Sequence, residues 1–192
     1  MRRMFASAGI DKRNVTGSYM VNSKGAALIT TYEGLSLSMY DQDGAKPGNA
    51  TIGFGHLIHK GLINNTSSEK EFENGITLNR ATELFVERIA EHEGYVNNYM
   101  SNLSIDLNAD QFASMVDLSF NKGPDDALKI MKTYKEKGVV AAGEAIMDLN
   151  KNNAGLQVRR RFEKELFVNS NALTKTGTEK LIQKENEDKK KK

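Results

Sequence analysis

Glu33 closes an apolar stretch made of Ala26, Ala27, Leu28, Ile29 and Tyr32, and Gly34 follows at once. A carboxyl group in such a place is poorly solvated, and poor solvation favours its protonated form. Further on, Asp41 and Asp43 stand among the turn formers Gly44, Pro47, Gly48 and Asn49. Water reaches such a turn and keeps a carboxylate ionised. One protonated and one ionised carboxyl group are what most glycosidic bond cleavage uses. The first donates a proton to the leaving oxygen; the second activates water or attacks the sugar directly.

These groups need elements to hold them. The apolar positions from Ala26 to Tyr32 fit one face of a short helix, which Gly34 ends. Leu35, Leu37, Met39 and Tyr40 then alternate with Ser36 and Ser38, a period near two. After the turn formers comes Thr51-Ile52-Gly53-Phe54-Gly55-His56, so the two runs are expected to form a β-hairpin with a long tip. From Thr77 onward the pattern is helical. Thr77 is a good N-cap, and Ala81, Leu84, Phe85 and Ile89 form a stripe. Leu107 to Phe120 repeats it, capped by Asn108 or Asp110 and stopped by Asn121-Lys122-Gly123-Pro124. Two more helices, Ala127 to Tyr134 and Val139 to Leu149, are separated by Gly138, and Val158 to Phe167 is the last. The expected fold class is α+β, a small N-terminal β-hairpin or sheet lobe and a larger helical lobe with a cleft between.

Composition narrows the function. Hydrophobic residues are 39% of the 192-residue chain and charged ones 27%, as in an ordinary globular domain. The expected boundaries are an arm or linker at 1–22, a catalytic domain at 23–170 and a charged tail at 171–192 that ends in Lys189 to Lys192. Cysteine is absent, which excludes disulfides and thiol catalysis. His56 and His59 stand three apart, but no further ligand pattern accompanies them, so no metal and no cofactor are expected. His56 is expected to hold the hairpin by a hydrogen bond, and His59 to be exposed. A net charge of +2 is far from the basic footprint of a nucleic-acid binder. No apolar run is long enough to span a membrane, and the basic opening Met1-Arg2-Arg3 lacks the apolar stretch of a signal peptide. Action outside the cytoplasm is therefore expected to need another route: release, injection or secretion.

Tyr32-Glu33-Gly34-Leu35 with Tyr40, followed by Thr51-Ile52-Gly53-Phe54-Gly55-His56, resembles the phage-type lysozyme (endolysin) family. Asp110-Gln111-Phe112, leading to Ser119-Phe120-Asn121-Lys122-Gly123, resembles its central helix and exit. Gly155-Leu156, Arg159-Arg160 and Glu163 resemble its closing segment. The resemblance implies a muramidase that cuts the β-1,4 bond between N-acetylmuramic acid and N-acetylglucosamine, with Glu33 as proton donor and Thr51 beside the attacking water. Peptidoglycan is the implied partner, the chain acting as a monomer. An inhibitor protein is expected only if the chain is a toxin delivered between bacteria rather than an endolysin or tail lysozyme. The family's Asp comes two residues after the Tyr, where this chain has Gln42, and the tip is longer than in compact members. Three readings stay open: Asp43 brought into place by a bulge, Asp41 in its stead, or Gln42 as an uncharged substitute. Tyr40, Phe54 and Phe120 are candidates for lining a sugar site. His56, Arg159 and Arg160 are candidates for supporting the catalytic groups, since an Arg of this run comes near the Glu in the family. A lytic transglycosylase, which needs no second carboxylate, and an inactive wall-binding module are the alternatives.

Overall fold

The computed structural model describes residues 19–21, 23–41 and 48–169, and at 23, 24 and 28 the backbone only. Asp43 and Gln42 lie outside the described residues, as do the expected tail at 171–192 and all of the expected arm except Tyr19 to Val21. The element order is α1 (Ser23–Glu33), β1 (Ser36–Asp41), β2 (Asn49–Gly53), β3 (His56–Lys60), a short 3-10 turn (Ser67–Glu69), α2 (Leu78–Leu103), α3 (Ala109–Lys122), α4 (Pro124–Asp148) and α5 (Ala154–Val168). This is the expected α+β plan, with one addition. The hairpin is a three-stranded antiparallel sheet in the order β1-β2-β3, because Phe54 and Gly55 turn the chain back into a third strand. No helix among the described residues is long and apolar enough to cross a membrane.

The chain divides into two compact units. In the first, Leu28–Glu91, the sheet packs Ile52 against Phe72 and Leu84, with Met39, Ile58 and Ile76 around them. Thr77 caps α2 as expected: its Oγ1 accepts the N–H of Arg80 at 3.2 Å.

The second unit holds Tyr19 to Ala27 and His92 onward. Phe112, Met115, Leu118, Met131, Ile146 and Leu166 are fully buried in it. Asn108, not Asp110, caps α3. Its side chain accepts from the N–H of Gln111, whose side chain in turn accepts from the N–H of Asn108. The helical backbone breaks at Gly138 (φ 83°, ψ 178°), as the sequence predicts.

The same unit fastens Tyr19 to Val21. The Tyr19 N–H donates to Asn97 Oδ1 at 2.7 Å, and Asn97 Nδ2 donates back to the Tyr19 carbonyl at 2.9 Å. One helical turn earlier, Glu93 Oε1 accepts the N–H of Val21 at 2.6 Å. Glu93 is buried, and burial pushes its carboxyl up to about 7 against the partial relief of the Val21 hydrogen bond. An unfolded Glu ionises near its ordinary value of 4.5. Below that pH the group is neutral in both states and costs nothing. Between 4.5 and about 7 the unfolded chain releases the proton while the folded chain keeps it, so stability falls as pH rises. The loss is on the order of 3 kcal/mol. Glu93→Gln keeps the acceptor for Val21 without the charge. Unfolding midpoints measured from pH 4 to 8 are expected to converge with wild type at the acid end and to lie several degrees higher at pH 8. Parallel curves for the two proteins contradict the assignment.

Candidate active site

Glu33 is the last residue of α1, and Gly34 ends the helix with φ +68°, a left-handed conformation that costs glycine nothing. The helix therefore stops with Glu33 half-buried at its rim. The turn between β2 and β3 approaches the carboxyl group. A Cβ built on Gly55 would lie 3.0 Å from Glu33 Oε2.

Across the sheet, Tyr40 of β1 pairs directly with Thr51 of β2. The register slips on both sides of that pair, between Ser36 and Tyr40 on β1 and between Ala50 and Thr51 on β2. Bulges of this kind re-aim side chains. Thr51 is buried, and its hydroxyl donates to the Asn49 carbonyl at 2.7 Å. Its proton is committed there, so its lone pairs remain to accept. Tyr40 is half-buried, and burial first, then the negative charge of Glu33, raises its phenol above the ordinary value. Glu33, Tyr40, Thr51 and Gly55 thus belong to one unit and one small region of sheet and helix end. Asp41 is the last residue of β1. Its Oδ1 accepts the N–H of Ile63 at 3.1 Å, bracing the end of β1 against the chain that follows β3.

The aromatic and imidazole groups around the turn are anchors. Phe54 packs its ring on Phe85, with centroids 5.3 Å apart. His56 was expected to make a hydrogen bond; what the structure shows is its ring tilted against that of Phe72, with centroids 6.0 Å apart. Burial, with the charges of Arg88 and Arg80, holds its pKa below the ordinary value, so the ring is neutral at pH 7. His59, expected to be exposed, is instead bonded at both nitrogens. Nδ1 meets the Lys60 carbonyl at 3.0 Å and Nε2 meets Glu69 Oε1 at 2.5 Å. A carbonyl and a carboxylate both accept, so the arrangement favours the doubly protonated ring. The Lys60 carbonyl and Glu69 raise its pKa, and the His59 hydrogen bond lowers that of Glu69. Glu69 is 2% exposed and also accepts the N–H of Asn64 at 3.1 Å.

Three candidates lie in the second unit. Phe120 is 6% exposed and packs on His92 with centroids 5.3 Å apart, which leaves little of its face for a sugar. Arg159 forks onto Asp117, Nη2 to Oδ1 at 2.5 Å and Nε to Oδ2 at 3.2 Å. Arg160, fully buried, reaches Asn121 Oδ1 at 2.5 Å and Glu163 at 2.9 Å. Burial first, then the charge of Asp117, pushes the Glu163 carboxyl well above the ordinary carboxylate range. The i, i+3 spacing of Arg160 and Glu163 was the sequence signal for this cluster. Asp117 gave none, being an acid in an otherwise apolar stripe.

The order of these elements and the position of the acid at the end of α1 can be compared with known proteins. A family model described as phage lysozyme matches residues 30–163, which contain every candidate residue named above. The chain belongs to the phage lysozyme family. Lysozyme-type lysis of peptidoglycan is the activity that membership assigns to it. Among solved structures, an endolysin from Escherichia coli O157:H7 phage FAHEc1 is similar with a TM-score of 0.63 and 22% identity, over 80% of this chain and 96% of that one. A mutant of P22 lysozyme is similar with a TM-score of 0.57 and 27% identity, over 78% of this chain and 98% of that one. A search of curated protein sequences finds no match.

Proposed function

We propose that this phage lysozyme family member is a muramidase that hydrolyses the β-1,4 bond between N-acetylmuramic acid and N-acetylglucosamine, with Glu33 as general acid. The observation that carries the reading is the placement of Glu33. It sits half-buried at the end of α1, against the β2–β3 turn and within electrostatic reach of Tyr40, the strand partner of Thr51. Glu33 protonates the leaving oxygen. A water donates one of its hydrogens to Thr51, whose own proton is held by Asn49, and so presents a lone pair to the sugar. Asp43 takes the remaining proton of that water. Asp41 is assigned away from the chemistry, because its carboxylate serves the Ile63 N–H.

Product analysis with a small set of variants tests the reading. Mass spectrometry of digested peptidoglycan is expected to show reducing ends. Asp43→Asn is expected to lower the rate about 10²- to 10⁴-fold, as removal of a general base does. Asp41→Asn keeps an oxygen for Ile63 and is expected to stay within a few-fold of wild type. Anhydro ends assign the chain to transglycosylation instead. A loss confined to Asp41→Asn exchanges the roles of the two acids.

A further inference from the structure

We propose that Gly55 is a positioning residue, its missing side chain being the space in which the Glu33 carboxylate is held. The inference rests on Glu33 being the proton donor. A Cβ at position 55 would lie 3.0 Å from Glu33 Oε2 and 3.9 Å from Cδ, and the first of these is tighter than nine in ten real Cβ contacts. The α-carbon of Gly55 is therefore a wall laid against one side of the carboxyl group.

The wall is fixed. Phe54, on one side of Gly55, is pinned by Phe85, and His56, on the other, by Phe72. Gly53 closes the same turn from β2. A methyl group at position 55 thus has two ways to find room: the anchored turn moves, or a side chain with three rotatable bonds moves. The side chain yields at lower cost, and Glu33 Oε2 leaves its place by several tenths of an ångström. Misplacement approaching 1 Å costs a catalytic group up to about 100-fold.

The backbone alone also asks for glycine here, since φ is +74°. Gly53 separates the two causes. Its φ is +67°, so alanine is equally strained there, but the nearest atoms its Cβ would meet belong to Ala81, at 3.5 Å, and Ile76, at 3.7 Å, both ordinary contacts.

The experiment compares Gly55→Ala and Gly53→Ala, each alone and combined with Glu33→Ala. The readouts are kcat and KM on soluble peptidoglycan fragments and the unfolding midpoint. Gly55→Ala is expected to lower kcat about 10-fold with KM nearly unchanged. Gly53→Ala is expected to lower the midpoint and leave kcat within a few-fold. Truncating Glu33 removes the oxygen that the new methyl meets. The midpoint loss from Gly55→Ala is therefore expected to shrink in the Glu33→Ala background, while that from Gly53→Ala does not. This second comparison needs no activity and holds even if Gly55→Ala alone does not fold. Equal kcat for the two glycine variants, or a midpoint loss from Gly55→Ala that Glu33→Ala does not relieve, overturns the proposal while leaving Glu33 as the acid. Wild-type kcat in Glu33→Ala overturns the role of Glu33 and the proposal with it.

Discussion

Glu33→Gln is expected to abolish the clearing of purified peptidoglycan, with a rate about 10²- to 10⁴-fold below wild type. Glutamine has the shape of glutamate and fits against Gly55 as the native side chain does, so α1 and the sheet have no reason to change. What it lacks is a proton acidic enough to pass to a leaving alkoxide. The loss therefore belongs to the chemical step. Retention of the variant on insoluble wall material is expected to match wild type, and its unfolding midpoint to lie close to wild type. Turbidity clearing and wall pull-down, done side by side, separate this from the other readings. A wild-type protein that binds walls without clearing them is a binding module. A Glu33→Gln protein that clears them at nearly the wild-type rate removes Glu33 from the mechanism.

The prominence of Glu33 in the sequence has a physical cause. It ends an apolar period and precedes a glycine, and both features act over a few residues, so local patterning reveals them. The same holds for Thr77, Gly138 and the Tyr40–Thr51 strands, while Asn108 and Asp110 remained equal candidates for the cap of α3. The third strand was harder to read. His56 to Lys60 is short, begins and ends on polar residues, and owes its place to pairing with Asn49 through Ile52. Such pairing lies in tertiary contact rather than in any local period. His59 was expected at the surface for a similar reason: its partner Glu69 lies ten residues away in a turn without a pattern of its own. The buried charges were hidden by a sound prior, since Asp, Glu and Arg are almost never fully buried unless paired. Asp117, Arg159, Arg160 and Glu163 are that exception, and their pairing joins two helices more than forty residues apart in sequence.

That cluster carries the largest stability effect expected in the molecule. Asp117→Ala removes both acceptors of the Arg159 fork and takes the paired carboxylate away from a guanidinium that is 4% exposed. Breaking a buried pair on one side costs about 3–5 kcal/mol, because the remaining charge has lost its water and gained nothing. A domain has only about 5–15 kcal/mol in hand. Glu163 stands close enough to Arg159 to compensate in part. Its Oε1 lies 3.8 Å from Arg159 Nε, and loss of the Asp117 charge relieves part of what raises its carboxyl pKa. Yet the same oxygen is already 2.9 Å from Arg160, so moving to Arg159 leaves that second buried guanidinium with Asn121 but without the carboxyl group. The repair is partial, and the net cost stays near the lower end of that range. The expected result is a fall in the unfolding midpoint on the order of 10 °C. Asp117→Asn, which keeps one acceptor and the shape, is expected to fall by less. Asp117→Leu combined with Arg159→Met removes both charges and fills the space, and is expected to recover most of the loss, since a buried pair and well-packed apolar groups are often of equal worth. Calorimetry of the three variants decides the matter: an Asp117→Ala midpoint within a degree or two of wild type means that Arg159 finds another partner at no cost and that the fork contributes little to the fold.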